Sequence, residues 1–350
     1  MNVTGVMSAP TCRSDHSMTS TNKFLIVYGG CYNTCETVFN EMCIYNTITD
    51  MWRLYPGPFE SEKRFASSAI CAVRNSVYIF GGSNPHSYND ETNLLFVFDI
   101  SSATWKTLSA HTNEYDQNSP PPMYDNCILY HNESLYILGG FAGNEFSNKM
   151  FKFHLKTSLW TLVPQNGPKP RSKTRLFATV FQNKFYCFGG YLENPTDKFE
   201  HVNIFDFSTH TWTTKQTHPN NGEFPSDRNH QSFVFSSEYG YLSGGDRLCG
   251  FYNGIWRINL ESLEWLKLDY SLKSGMVFHK MAIVDDSMLY VFGGWYEDSI
   301  CSDKLERFAL KPQPLYQLCL ESIRRLPNVR SIAALLPKSI ADELNANTTD

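Results

Sequence analysis

Apolar runs that end in two glycines recur six times along the first three hundred residues. The runs read FLIVYGG, VYIFGG, LYILGG, FYCFGG, GYLSGG and LYVFGG, and their second glycines are Gly30, Gly82, Gly140, Gly190, Gly245 and Gly294. In five of the six units a tryptophan follows at a nearly constant distance: Trp52, Trp105, Trp160, Trp212 and Trp265. Two signals in one phase indicate an internal repeat of about fifty residues.

Each unit has room for four short strands. In the second unit FASSAICAV, SVYIFGG, NLLFVFDIS and TWKTL supply them in order. Continuous apolar runs are typical of strands covered on both faces, as in sheets that stack against one another. We expect the glycine pair where the chain turns with φ values that a side chain would resist. The tryptophan is large enough to anchor the packing between neighbouring sheets.

This pattern resembles the kelch repeat. The resemblance implies an all-β fold, a six-bladed kelch β-propeller over residues 13–311, in which radial repetition protects the sheet edges. The sixth unit lacks the tryptophan. We therefore expect its blade either to borrow an outer strand from residues 2 to 8, within an N-terminal segment of residues 1–12, or to have none.

Composition narrows the class of protein. The net charge of −5 argues against general nucleic-acid binding, and no apolar run is long enough to span a membrane. The start of the chain lacks the features of a secretory signal, so we expect a cytoplasmic protein, with the nucleus as a second location, and reduced thiols. Cys31, Cys35 and Cys43 lack zinc-finger spacing, which favours loop thiols over a metal site.

The loops that enter the first strand of each blade are expected at the mouth of the central channel. Residues that bind anions and hydrogen-bonding ligands recur there, 14 to 18 residues before the second glycine: Arg13, His16, Arg64, Tyr124, Arg175, Arg228, His230 and His279. Arginines bind carboxylates through two parallel hydrogen bonds. We predict a pocket lined by these eight residues. The alternative is that the arginines pair with acidic groups between blades.

Catalytic signatures are missing from the sequence. We find no phosphate-binding glycine loop, no HExxH pair and no nucleophile elbow. The metal ligands of kelch-type copper oxidases and iron-dependent specifier proteins are not recognisable either. The sequence therefore predicts a protein that is not an enzyme and needs no cofactor, although a site assembled from separate blades stays open.

After the last repeat the pattern changes to that of a helix. Apolar or small residues share one helical face, namely Leu315, Leu318, Cys319, Ser322, Ile323 and Leu326. Pro314 precedes this segment and Pro327 follows it. Two more short helices are expected, around VRSIAALL and after Pro337. Residues 312–350 are too few to be stable alone, so the apolar face either caps the propeller or binds another protein.

LYQLCLESI resembles the elongin-binding box of cullin-RING ubiquitin ligase receptors. Leu315, Cys319 and Ile323 match the box, and Leu318 and Leu326 extend it. LPNV resembles the stretch that follows in cullin-2 receptors, which implies cullin contacts by Pro327, Val329 and Ile332. LLPKSI has Ser339 where cullin-5 receptors carry a second proline. The resemblance implies elongin B, elongin C and cullin-2 with its RING subunit as partners, with cullin-5 disfavoured.

Kelch units followed by such a box resemble the kelch-repeat substrate receptors of these ligases. The sequences RSDH, DRNH, VFHKMA and LPNVRSIAALL extend the likeness to one branch of that family. The resemblance implies a receptor that binds the carboxyl-terminal tail (C-degron) of target proteins in an arginine-lined pocket. The alternative is a kelch scaffold for a cytoskeletal or signalling partner, whose helical tail caps the ring.

Overall fold

Each repeat unit folds into one antiparallel sheet, and six sheets form the blades of a propeller that ends in a short helix. The computed structural model describes residues 4–7, 9–32, 36–58, 65–86, 90–171, 174–191, 199–248, 250–326, 328–333, 335–338 and 340–341. The all-β six-bladed propeller is thereby confirmed. No helix in the described part of the chain is long and apolar enough to cross a membrane.

The first three blades contain seventeen strands in chain order. Blade 1 contains β1 (Thr4–Met7), β2 (Ser17–Thr21), β3 (Phe24–Tyr28), β4 (Cys31–Tyr32), β5 (Thr37–Val38), β6 (Met42–Asn46) and β7 (Met51–Tyr55). Blade 2 contains β8 (Ala69–Val73), β9 (Ser76–Phe80), β10 (Leu95–Asp99) and β11 (Thr104–Ser109). Blade 3 contains β12 (Cys127–His131), β13 (Ser134–Leu138), β14 (Phe141–Ala142), β15 (Glu145–Phe146), β16 (Met150–His154) and β17 (Leu159–Leu162).

The last three blades complete the ring. Blade 4 contains β18 (Thr174–Phe181), β19 (Lys184–Tyr191), β20 (His201–Asp206) and β21 (Thr211–Gln216). Blade 5 contains β22 (His218–Pro219), β23 (Ser232–Phe235), β24 (Tyr239–Ser243), β25 (Asp246–Arg247), β26 (Gly250–Phe251), β27 (Gly254–Asn259) and β28 (Glu264–Ser271). Blade 6 contains β29 (Met276–Val277), β30 (Lys280–Val284), β31 (Met288–Phe292), β32 (Trp295–Tyr296) and β33 (Leu305–Ala309), and the helices are α1 (Leu315–Arg324) and α2 (Val329–Ala333).

The inner strands of the blades form a closed ring. Each of β2, β8, β12, β18, β23 and β30 contacts the inner strand of the next blade, and β30 contacts β2. The repeat tryptophans pack between blades, as expected from the sequence. Trp52 of blade 1, for example, lies 5.6 Å from the ring of Phe292 in blade 6. Stacked apolar sheet faces, joined by these rings, therefore form the core.

The glycine pairs permit the close approach of neighbouring blades. All twelve paired glycines have positive φ, the conformation that glycine adopts without strain. A Cβ on Gly293 would lie 2.5 Å from the His16 ring of blade 1, and one on Gly244 would lie 2.3 Å from the His279 ring of blade 6. A side chain at the first glycine would thus displace the next blade, so the pairs serve packing as well as turning.

The N-terminal strand closes a different blade from the one we expected. β1 pairs with β7, the outer strand of blade 1, whereas the main sheet of blade 6 has only the three strands β30, β31 and β33. The prediction that residues 2 to 8 complete the sixth blade is therefore wrong. The other expectation, a sixth blade without an outer strand, holds in the described residues.

Strand direction gives the propeller two distinct ends. The strands β2 and β30 start beside the glycine pairs, at what we call the cavity end. The turns between first and second strands and between third and fourth strands lie at the opposite, turn end, where the Thr47 amide donates to the Lys23 carbonyl at 3.0 Å. The loop that carries a residue therefore shows whether the residue lies at the cavity end or at the turn end of the propeller.

One thiol differs from the expectation of reduced cysteines. Cys31 is disulfide-bonded, whereas the other described cysteines, such as Cys43 and Cys301, are free. The prediction of a reduced thiol is wrong at this position.

Candidate functional site

Six residues at the cavity end share the left-handed backbone conformation, one in each blade. They are Asp15, Ser67, Asp125, Arg175, His230 and Phe278, with φ between 51° and 57°. Their amides join the blades: Ser67 donates to the Asp15 carbonyl at 2.8 Å, Asp125 to Ser67 at 3.0 Å and Arg175 to Asp125 at 2.9 Å. These backbone hydrogen bonds between neighbouring blades help to hold the six side chains around one opening.

The six side chains line a central cavity of about 500 Å³. The residues that follow them in each blade form a second layer of its wall: His16, Ser68, Asn126, Leu176, Gln231 and His279. Aromatic side chains contribute as well, among them Tyr124, Phe141, Phe146 and Phe177. The cavity has the size of a ligand-binding site, and its lining combines aromatic side chains with many polar and charged ones.

Arg175 is the one predicted arginine that the structure brings to the cavity among the described residues. Its Nε donates to Asp125 at 2.9 Å and its Nη2 to Asp15 at 3.2 Å, with 29% of the side chain exposed. Burial lowers the pKa of Arg175, but Asp125 and Asp15 raise it more. The guanidinium is thus charged and held in place by two carboxylates.

His230 and Phe278 form an aromatic side of the cavity. Their rings stack at 4.1 Å, and the Arg175 guanidinium lies 5.0 Å from the Phe278 ring. Nδ1 of His230 lies 2.8 Å from Asp246. Burial and the nearby Arg175 lower the pKa of His230 despite that carboxylate, so the imidazole is neutral at neutral pH and can accept or donate a hydrogen bond.

Lys280 is the cationic cavity residue that was not predicted from the sequence, as Asp15 and Asp125 were not. It lines the cavity and makes no side-chain hydrogen bond or salt bridge with the residues that the structure describes. Burial and Arg175 lower the pKa of Lys280, while Asp125 and Asp15 offset part of that shift. A partly desolvated ammonium without a direct partner is stabilised by an incoming anion.

Several buried polar atoms of the second layer lack hydrogen-bond partners. They are both ring nitrogens of His16, Ser68 Oγ, both side-chain polar atoms of Asn126, Gln231 Oε1 and His279 Nδ1. Unpaired buried polar atoms are costly, and these supply donors and acceptors together. Because these atoms are almost inaccessible, a ligand could hydrogen-bond to them only after the cavity wall rearranged.

Arg13 and Arg228 do not line the cavity, which corrects the prediction of an arginine-lined mouth. Arg13 is 1% exposed, donates to the Gly29 carbonyl at 3.0 Å and to Glu41 at 2.8 Å, and stacks 4.0 Å from the Phe39 ring. The alternative that we left open, pairing with acidic groups between blades, is not observed for Arg13 either, because Glu41 belongs to the same blade.

Arg228 occupies the equivalent position of blade 5. It donates to the Gly244 carbonyl at 3.1 Å and to the Ser226 carbonyl at 2.9 Å, and it lies 4.2 Å from the Tyr252 ring. Burial lowers its pKa to about 10. We call these two equivalent positions the arginine sockets.

The repeat offset separates the sockets from the cavity. Arg13 and Arg228 lie seventeen residues before the second glycine, whereas Asp15, Asp125 and Arg175 lie fifteen before it. Counting at a single offset would have found the acidic residues and placed Arg175 among them. His16, Tyr124, His230 and His279 line the cavity as predicted, and Arg64 lies outside the described residues. No group of three metal-binding side chains occurs among the described residues.

A second candidate surface is the helix α1, which lies at the turn end. It buries Gln317 and Leu320, and Leu320 packs with Ile48 in the turn between β6 and β7. Arg324 donates to the Ile48 carbonyl and to Asp50. The helix therefore docks on the propeller, but through a face other than the predicted one.

The predicted apolar face of α1 is largely exposed. Leu315 is 76% exposed, Leu318 44% and Leu326 43%, and Cys319 is also exposed. Ile323 differs, because it packs partly against the Ile48–Leu320 cluster. Both readings of the tail thus hold in part: one face caps the ring and the other is open.

The rest of the tail continues beside α1. Val329 and Ile332 lie in α2 and are half-buried, whereas Pro327 lies outside the described residues. The amides of Ile340 and Ala341 donate to the Pro337 carbonyl at 2.9 Å, which starts the expected third helical turn. Leu336 and Ile340 pack against the same cluster as Leu320.

Comparison with known proteins assigns the class. The family model described as KLHDC2/KLHL20/DRC7 Kelch-repeats domain matches residues 1–140 and 67–294. The chain belongs to this kelch-repeat family, whose members generally act as non-enzymatic scaffolds in protein–protein interaction.

Relatives give a finer likeness. Kelch domain-containing protein 10 of Xenopus laevis is 23% identical over 337 residues, 90% of this chain and 79% of the relative. Its Homo sapiens counterpart is 24% identical over 305 residues, 81% and 66% of the two chains. The Drosophila melanogaster leucine-zipper-like transcriptional regulator 1 homolog is 26% identical over 318 residues, which are 86% of this chain and 31% of the relative. The likeness predicted from RSDH, DRNH and VFHKMA, which is to Kelch domain-containing protein 10, is confirmed as homology.

Proposed function

We propose that this chain is the substrate-recognition subunit of an elongin B/C cullin-2 RING ubiquitin ligase. In this proposal the central cavity binds the carboxyl-terminal tail of a target protein, and the helical tail joins the propeller to the ligase. The chain itself performs no chemistry, and it raises the effective concentration of substrate lysines near the ubiquitin donor.

The observation that carries the proposal is the exposed face of α1. Leu315, Leu318 and Cys319, at the positions of the elongin-binding box, are exposed although α1 is anchored by Leu320 and Arg324. An anchored helix has lost most of its freedom before binding, which lowers the entropic cost of association. Each leucine that a partner buries contributes about 1.5–3 kcal/mol.

The separation of the two surfaces supports the same function. The cavity opens at the cavity end, where Asp15 and Arg175 lie. The contacts of α1 are with the Ile48 turn at the opposite end. A substrate and a ligase subunit can therefore occupy the propeller together without competing for space.

The charges of the cavity are compatible with a chain terminus. Arg175 and Lys280 carry positive charge, and Asp15 and Asp125 balance it. Arg175 is already paired with both carboxylates, so Lys280 is the cation available for a ligand carboxylate.

Co-purification with elongin B and elongin C tests the proposal. The wild-type chain should retain both elongins, whereas the Leu315→Ser, Cys319→Arg double variant should lose them, since it places polar groups in an apolar contact. Arg325→Ala is the matched control, because Arg325 is 78% exposed on the same helix and off the apolar face. Cullin-2 and cullin-5 are then added in turn, and cullin-2 should be the one retained.

Loss of binding must be separated from loss of folding. All three proteins should unfold cooperatively at similar temperatures, as the substituted side chains are exposed. If the wild-type chain retains neither elongin, the receptor proposal fails. The docking of Leu320 and Arg324 then favours the second candidate, a kelch scaffold for a cytoskeletal or signalling partner with a capping tail.

A further inference from the structure

Within the described residues, blade 6 has no counterpart of the outer strand that carries the tryptophan in the other five blades. In blades 1 to 5 the outer tryptophan is the cross-strand partner of one residue of the third strand: Tyr45↔Trp52, Phe98↔Trp105, Phe153↔Trp160, Phe205↔Trp212 and Ile258↔Trp265. In blade 6 the equivalent third-strand residue is Phe308. It pairs with Leu289 of the second strand, just as Tyr45, Phe98 and the other third-strand residues pair with the second strands of their blades. Within the described residues Phe308 has no such partner on its outer side.

The missing strand leaves apolar surface accessible. Tyr45, Phe98, Phe153, Phe205 and Ile258 are all buried. Phe308 is only partly buried, and its ring stacks on Tyr270 of blade 5 at 5.6 Å. We call this vacancy beside β33, bounded by Phe308 and Tyr270, the blade 6 notch. The notch lies at the position where the other blades have an outer strand with a tryptophan.

The backbone of β33 offers hydrogen bonds to such a strand. The Leu310 amide donates to the Ser287 carbonyl at 2.8 Å, which fixes the alternation of the ladder. Phe308 and Glu306 therefore direct their N–H and C=O groups toward β31, and Leu305, Arg307 and Ala309 direct theirs outward. No described residue pairs with these outward groups. Extended peptides bind such edges by adding a strand.

The charge around the notch restricts the kind of strand it accepts. Lys304 and Arg307 are 75% and 61% exposed, although Lys304 lies 3.4 Å from Asp303 and Arg307 lies 3.9 Å from Asp50. Lys311 is exposed just beyond the strand. Glu306, the acidic residue of β33, is buried. A groove of about 630 Å³ continues from Arg307 and Ala309 to Leu318 of α1. A strand with acidic residues beside its aromatic anchor is complementary to this surface.

We propose that the blade 6 notch binds an extended segment of a partner protein, which adds a fourth strand to β33. The segment presents a tryptophan or another aromatic side chain to Phe308 and acidic residues to Lys304 and Lys311. This interaction differs from the receptor function proposed above, because strand pairing along β33 uses neither the central cavity nor Leu315 and Cys319 of the elongin-binding face.

The chain itself supplies the probe. A fluorescein-labelled peptide of residues 262–270, SLEWLKLDY, carries the outer strand of blade 5. With its tryptophan opposite Phe308, its aspartate lies opposite Lys304. Fluorescence anisotropy with the full chain should detect binding. Replacing the peptide tryptophan with alanine should weaken binding at least about tenfold, since an aromatic pair and its burial are lost.

Two variants of the protein locate the binding. Ala309→Pro removes one outward N–H but leaves the inward hydrogen bonds of β33, and it should weaken binding about tenfold. Lys304→Glu should also weaken binding, and a peptide with lysine in place of its aspartate should restore it. The charge exchange keeps the test valid even if Ala309→Pro impairs folding. Hydrogen exchange should show slower exchange at Leu305, Arg307 and Ala309 when the peptide is bound.

Three results would overturn the proposal. One is the absence of binding by the tryptophan peptide. Another is equal affinity for the tryptophan and alanine peptides. The third is a wild-type dimer in light scattering that Ala309→Pro converts to a monomer, because the notch would then accept a second copy of this chain.

Discussion

Positively charged side chains have different partners in the arginine sockets and in the central cavity. In the sockets, Arg13 and Arg228 bind the carbonyls of Gly29 and Gly244 and stack on aromatic rings. In the cavity, Arg175 binds two aspartates that themselves line the opening, and Lys280 has no direct partner among the described residues. A two-residue difference in repeat offset separates an arginine that holds a blade together from one that lines the cavity.

This difference teaches how a repeat protein distributes function. The socket uses backbone carbonyls, which every blade has, so its arginine is part of the framework. The six residues with left-handed φ share a backbone geometry but comprise five different residue types. Side chains can therefore vary at these positions without changing the backbone hydrogen bonds that join neighbouring blades.

Removing a socket arginine should have the largest effect. Arg13→Ala leaves Glu41 and the Gly29 carbonyl without their partner, and breaking a buried ion pair costs about 3–5 kcal/mol. Urea unfolding measures this loss as a lower midpoint. Arg325→Ala, on the exposed side of α1, should leave the midpoint unchanged. A stable Arg13→Ala protein with weakened ligand binding would erase the distinction between sockets and cavity.

The buried histidines of the cavity wall should make stability depend on pH. Burial lowers the pKa of His279 to about 3 and that of His16 well below its usual value. Below pH 6.5 these histidines are protonated in the unfolded chain but stay neutral in the folded chain. The free energy of unfolding therefore decreases as the pH is lowered. At pH 5, His279 alone should cost about 2 kcal/mol relative to pH 7.5.

Urea unfolding of His279→Gln across the same pH range isolates this effect. Glutamine keeps a hydrogen-bonding group beside Ser243, the observed partner of His279 Nε2 at 2.8 Å, and it does not titrate. The variant should show a flatter pH dependence than the wild type. Parallel curves for the two proteins would mean that His279 does not resist protonation in the fold.

The smallest effect, and the most specific, should come from Lys280. Lys280→Met should weaken the binding of a tail peptide about tenfold, since a hydrogen bond to a charged group contributes about 1.5–3 kcal/mol. Calorimetry with a degron-like peptide that binds the wild type measures this loss. Amidating the peptide's terminal carboxylate should weaken binding to the wild type but not further weaken binding to Lys280→Met. Equal affinities for acid and amide would exclude carboxylate recognition.

Much of the fold followed from local pattern. The glycine pairs and tryptophans predicted six blades and four strands in the second unit, and the helix beginning at Leu315 was also predicted. These features depend on periodicity and on residue types that a single turn or strand requires. The exception is β1, which joins blade 1. Which edge a free strand joins depends on where the ring brings that edge.

The site was predictable only in part, for the same reason. His16, Tyr124, Arg175, His230 and His279 line the cavity as expected. Arg13 was misassigned because its surroundings come from Gly29, Phe39 and Glu41, which fold around it from further along the chain. Lys280 was missed because a lysine indicates a binding site only when the fold buries its ammonium group, and burial cannot be read from the sequence.

By itself, the sequence determined the repeat, the number of blades, the kelch class and the amphipathic helix, because each depends on residue spacing along the chain. The tertiary structure decided which charges face the cavity, which face of α1 docks, and which blade remains open. Those outcomes depend on burial and on contacts between distant residues. Leu320 shows the contrast: it lies off the predicted apolar face, yet it is the residue that packs against Ile48.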